Sequence, residues 1–139
     1  MLEGLPAFLG YFLSALSLGA LFILLYERTT PYRELRHIAR GNRAAAVAFT
    51  GALLGFTLPL VSAAAHSVSL LDFVAWGLIS GGVQCLLAMS LRWIRVPGEQ
   101  GEPAEGVYAH VSAGNAAVAL LLAALHLSIG MMNAASMVI

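Results

Sequence analysis

Arg28-Thr29-Thr30-Pro31-Tyr32-Arg33-Glu34-Leu35-Arg36-His37-Ile38-Ala39-Arg40-Gly41-Asn42-Arg43 decides the fold of this chain. The stretch holds five of the seven basic residues, all of them arginine, and lies between two uncharged apolar runs. The other two, Arg92 and Arg95, fall in a second polar stretch between two further apolar runs. Arginines beside the ends of membrane-spanning helices are held on the cytoplasmic side. Both stretches are therefore expected inside the cell.

Outward from these stretches lie four runs, each close to the roughly 20 apolar residues that a helix needs to cross a hydrocarbon core. The first extends from Leu5 to Tyr26 and the second from Ala44 to Ala65. The third lies between Asp72 and Arg92, and the fourth starts near Val111 and continues to Ile139, broken only by His126 and Asn133. A bilayer offers the backbone no water, so each run must be helical. The first run has no basic residue before it and is longer than the apolar core of a secretion signal, so it reads as a retained span with its N-terminus outside. Four spans then give an all-α, polytopic membrane protein, N-out and C-out.

Composition agrees. With 139 residues, 60% hydrophobic and 10% charged, the chain is one membrane domain. No basic surface carries a nucleic-acid-reading motif, so nucleic acid is set aside as a partner. Cys85, the single cysteine, lies inside an apolar run and carries no disulfide or metal signature. No cofactor is expected.

The connectors carry local signals. Thr30-Pro31 reads as a helix start, with Tyr32, Leu35 and Ala39 on one face and Arg33, Arg36 and Arg40 largely elsewhere. Gly41 ends that short interfacial helix, and Asn42 caps the next span. Pro97-Gly98-Glu99-Gln100-Gly101-Glu102-Pro103 reads as a turn-rich, mobile connector. Gly41-Asn42-Arg43-Ala44-Ala45-Ala46 has a counterpart in Gly114-Asn115-Ala116-Ala117-Val118-Ala119, with Asn115 as the second cap. The chain thus reads as two parallel-repeat helical hairpins, one from about residue 5 to 66 and one from about 70 to 139.

Within the spans, small and polar residues recur on one helical face. Gly51 and Gly55 in span two, Gly77 and Gly81 in span three, and Gly130 in span four are expected to let helix backbones approach closely. Gln84 and His126 each lie about 12 residues into their spans, roughly 18 Å at the helical rise, and are expected to meet in a polar clasp. Asn133 and Ser62 are further intramembrane polar candidates. Pro59 would kink span two or free a carbonyl. His66 and Asp72 form a candidate pair at the outer rim, a solvated cap in the plain reading and a pH sensor in the sharper one. Arg33, Arg36, Arg40 and Arg43 are the candidate contacts to lipid or partner.

Arg28-Thr29-Thr30-Pro31-Tyr32, the two Gly-Asn caps, Gly55-Phe56 with Pro59-Leu60, His66-Ser67 with Ser69-Leu70 and Asp72, and Asn133-Ala134-Ala135 together resemble the YjfL family. These are small bacterial inner-membrane proteins carrying a domain of unknown function, number 350, usually in two copies. The resemblance covers nearly the whole chain and implies the four-span architecture. It supplies no activity or catalytic residues, and hints at envelope maintenance through association with phage-shock-like proteins. His126 stands where that family pattern leads one to expect a small residue.

The residues therefore point to a non-enzymatic scaffold or partner-binding component, with a subunit of a small oligomeric channel or transporter as the alternative. The partners this reading admits are the bilayer, anionic lipid at the inner leaflet, a second copy in a homo-oligomer and a membrane-associated protein. An enzyme is not expected, because no nucleophile, base or metal-ligand spacing occurs.

Overall fold

The computed structural model describes residues 3–138. Four long helices carry the fold: α1 (Leu5–Thr29), α3 (Arg43–His66), α4 (Leu70–Leu91) and α6 (Ala116–Ser136). Each is long and apolar enough to cross a membrane, at 25, 24, 22 and 21 residues. At about 1.5 Å per residue these lengths match or exceed a hydrocarbon core of about 30 Å. Two six-residue helices, α2 (Glu34–Ala39) and α5 (Val107–Ser112), immediately precede α3 and α6.

The first connector departs from the sequence reading. Thr30 does not start a helix; it closes α1, its N–H bonding Tyr26 O at 3.2 Å. Helix α2 begins four residues later with no side-chain cap of its own. Its start is instead held from α1, where Glu27 Oε1 accepts the Leu35 N–H at 2.7 Å. The inward face also differs, for Leu35 and Ala39 are exposed while Glu34 is fully buried and Ile38 packs on the core.

The second connector holds more structure than a turn-rich link. Arg95–Val96 (β1) pairs antiparallel with Glu105–Gly106 (β2), and the turn uses positive φ at Gln100 and Gly101. Residues 107–112, assigned to the interval before and at the start of span four, form the separate helix α5, and the span itself begins at Ala116.

Both short helices end alike. Gly41 and Gly114 have φ of 85° and 93°, a conformation open to glycine at little cost. Their N–H groups reach Ile38 O and Val111 O, and the next N–H groups reach His37 O and His110 O. This is the double closure of a left-handed helix end. Asn42 and Asn115 then accept from Ala45 N and Val118 N at 3.0 and 3.2 Å, capping α3 and α6.

Helix α3 is the centre of the bundle. It buries far more of its length than α1, where Leu18, Phe22 and Tyr26 are buried and most other leucines and phenylalanines are exposed. Close approaches run in order along α3 and α6, from Gly51 on Ala123, to Gly55 on His126 and Gly130, to Ser62 on Ala134. The two helices are therefore parallel. Gly10 near Leu70 and Leu18 near Gly77 make α1 and α4 parallel in the same way.

Packing density explains the glycines unevenly. A Cβ on Gly51 would lie 2.3 Å from Ala123 Cα, one on Gly55 2.3 Å from His126 O, and one on Gly130 2.2 Å from Gly55 O. Each collision is with backbone. Gly77 instead meets the flexible end of Leu18 at 2.6 Å, and Gly81 has nothing nearer than 3.6 Å. Pro59 is buried inside an unbroken α3 and lacks the N–H that would bond Gly55 O. That freed carbonyl faces Gly130, where a Cα–H can meet it.

Candidate functional site

The intramembrane polar residues fall into two groups. Gln84 and His126 are fully buried and meet side by side. Gln84 Nε2 donates to His126 O at 3.1 Å, and His126 Nδ1 lies 2.5 Å from Gln84 Oε1. The glutamine thus grips both the backbone and the ring of α6, with Nδ1 as the donor this contact requires. Among the described residues His126 Nε2 has no hydrogen-bond partner, and the ring stands edge-on to Tyr26 at 5.7 Å between centroids. Near the C-terminal end of α6, Ser62 Oγ donates to Ala134 O at 2.9 Å, while Asn133 Nδ2 is buried without a partner among the described residues.

His66 and Asp72 do not bond one another. His66 Nδ1 contacts Ser62 O, one turn back on its own helix. Asp72 Oδ2 accepts the Val68 N–H, and its own N–H donates to Ser69 Oγ. Ser69 caps the start of α4, and the Asp72 carboxylate accepts from the residue before that cap. Both residues make their contacts at helix ends, His66 within α3 and Asp72 at the start of α4.

All seven arginines are exposed at one end of the bundle: Arg28, Arg33, Arg36, Arg40, Arg43, Arg92 and Arg95. That end also holds a buried acid that the sequence reading passed over. Glu34 has no accessible surface. Among the described residues neither of its oxygens has a hydrogen-bond partner, nor has Tyr32 Oη. Tyr32 is wedged between His37, edge-on at 5.1 Å, and Tyr108, tilted at 5.8 Å. Tyr108 commits its hydroxyl to Ala88 O at 2.9 Å, tying α5 to α4.

The cage acts on the acid in a definite direction. Burial pushes the Glu34 carboxyl up to about 8; the phenols of Tyr32 and Tyr26 pull it back as potential donors, and Glu27 adds repulsion. Burial and then the Glu34 charge raise Tyr32 and Tyr108 well above the usual phenol range. Glu34 escaped the sequence reading because an acid among arginines looks like part of a solvated face. Its neighbours Tyr26 and Glu27 come from α1, and Tyr108 of the second hairpin lies near enough to feel its charge, which are contacts made only by the folded chain.

The sequence profile of the family described as Domain of Unknown Function (DUF350) matches residues 1–137. The chain belongs to the DUF350 family. Two relatives carry the description UPF0719 inner membrane protein YjfL, from Escherichia coli strain K12 and from Escherichia coli O157:H7. Each is 39% identical over 92 residues, covering 66% of this chain and 70% of the relative. No solved structure matches. With four apolar helices and inner-membrane relatives, this DUF350 protein is a multi-pass protein of the inner membrane.

Proposed function

We propose that this DUF350 protein is a non-enzymatic scaffold whose arginine-bearing end binds anionic lipid at the inner leaflet, in the service of envelope maintenance. One observation carries the reading: every arginine is exposed at that end, and among the described residues none forms an ion pair. An unpaired guanidinium near an anionic leaflet contributes about 1 kcal/mol. Arg33, Arg36 and Arg40 on α2, with Arg43 at the start of α3, make a cluster sufficient for selective lipid recruitment.

The test is the immobilised fraction of a spin-labelled anionic lipid around the reconstituted protein, compared with a zwitterionic label. Changing Arg33, Arg36 and Arg40 together to glutamine should lower anionic selectivity and flatten its salt dependence. Unchanged selectivity would overturn the reading.

A second reading, a subunit of an oligomeric channel or transporter, draws on the unpartnered Asn133 Nδ2 and His126 Nε2. Against it, α3 and α6 meet backbone to backbone beside these groups and leave no room between them. Ion flux in liposomes that disappears on Gln84→Ala or Asn133→Ala would favour it, and a monomer without flux would remove it.

A further inference from the structure

Glu34 sits where a charge is hard to hold. Its side chain has no accessible surface, and the five arginines between residues 28 and 43 are all exposed rather than buried with it. The titratable groups around it are Glu27 and Tyr26 on α1, Tyr32 in the connector, His37 on its own helix and Tyr108 on α5. Arg92 at the end of α4 acts on Tyr108, and Arg43, which opens α3, is exposed. None of these supplies a counter-ion. A buried carboxylate without one is strongly disfavoured, whereas a neutral acid needs only an acceptor for its hydroxyl. Tyr32 Oη, buried and unpartnered, stands ready as that acceptor.

The same side chain is the fully buried one of α2 among the described residues. The helix has six residues, no side-chain cap of its own, and a left-handed glycine at its far end. Its inward contacts are Glu34, the partly buried Ile38 and the Glu27–Leu35 bond. We propose that Glu34 is a proton-binding site and that its protonation holds α2 against the bundle, so that loss of the proton frees the helix bearing Arg33, Arg36 and Arg40. The proton comes from and returns to bulk water. On release the carboxylate leaves the tyrosine cage for solvent beside Arg33 and Arg36, where its charge is met. This deepens the proposed lipid-binding scaffold, the arginine platform, and rests on it for its consequence, since the freed helix carries three of the arginines proposed to bind lipid.

The sign follows from the cage. The docked carboxyl is raised from its ordinary 4.5 to about 8, so the docked state binds the proton more tightly than the released state. Docking is then fully favoured below about pH 4.5 and is lost progressively as pH rises toward 8, roughly tenfold in the docking equilibrium per pH unit.

The experiment uses the full chain in phosphatidylcholine nanodiscs, so that anionic lipid plays no part. A nitroxide on Ala39→Cys in a Cys85→Ala background reports α2 mobility between pH 5 and 9, and infrared spectroscopy follows protonated carboxyl groups over the same range. Mobility should rise with pH, a protonated-carboxyl band should persist at pH 6 to 7, and Glu34→Gln should abolish the band and keep the label immobile throughout. A mobility titration unchanged in Glu34→Gln, or no protonated carboxyl at pH 6 in the wild-type chain, overturns the proposal. The infrared result on the wild-type chain stands even if the variant fails to fold. Failure here with intact anionic-lipid selectivity at fixed pH removes the latch alone; loss of selectivity with an intact latch removes the platform alone.

Discussion

A single missing methyl group separates the glycines that matter from those that do not. At Gly55 and Gly130 an added Cβ would press into the backbone of the facing helix, and neither helix can withdraw without unpacking the pair. Gly55→Ala or Gly130→Ala should each cost about 1–3 kcal/mol, the usual penalty of overpacking. Gly82→Ala, with nothing within 4 Å, should leave thermal unfolding in detergent unchanged or slightly improved. The sequence identifies the Gly-x-x-x-Gly faces but not which glycine meets backbone, because that depends on register between distant helices. Gln84 and His126 were legible for a different reason: equal depth follows from counting along two helices. A double-alanine cycle at these positions should return a coupling of about 0.6–2 kcal/mol, the range for hydrogen bonds within membranes. A coupling of zero would mean that the two side chains are independent.

Helix ends were the most legible elements, because capping is local chemistry. Gly41-Asn42 and Gly114-Asn115 each close one helix and open the next through bonds confined to residues 37–45 and 110–118. The short helices between were less so. Helix α2 takes its N-terminal partner from Glu27 on α1, and α5 merges by composition into the apolar run that follows it. The two caps are alike in sequence but unequal in the folded chain. Asn42 Nδ2 also donates to Val111 O and Ser112 O at 3.1 and 3.0 Å, fastening the first connector to the second. Asn115 Nδ2 reaches only His110 Nδ1 on its own hairpin, at 3.4 Å. Asn115→Ala should thus lose little more than a cap, about 1 kcal/mol. Asn42→Ala should lose a further ~1–3 kcal/mol, from two bonds worth about 0.5–1.5 each. Equal losses in unfolding experiments would mean that the bridge between connectors contributes nothing.

For the whole molecule, the parallel pairs join the two hairpins into one topological unit. Because α3 runs with α6 and α1 with α4, neither hairpin can invert in the bilayer without separating Gly51 from Ala123 and Gly55 from Gly130. Orientation is therefore a single choice made by all seven arginines together, and the connector on the opposite face, His66-Ser67-Val68-Ser69, offers no arginine to oppose it. Lys and Arg in short loops set this choice, while acids such as Glu99, Glu102 and Glu105 weigh little. We expect the arginine-bearing end inside the cell. In a Cys85→Ala background, a cysteine at Val68 should react with an impermeant thiol reagent in cells whose outer membrane alone has been opened. One at Gly98, in the hairpin turn between β1 and β2, should react only after the inner membrane is breached. The reverse pattern would place the arginines in the periplasm and take the anionic leaflet away from α2. A mixed pattern within one population would mean that the hairpins orient separately, which the parallel packing of α3 on α6 forbids.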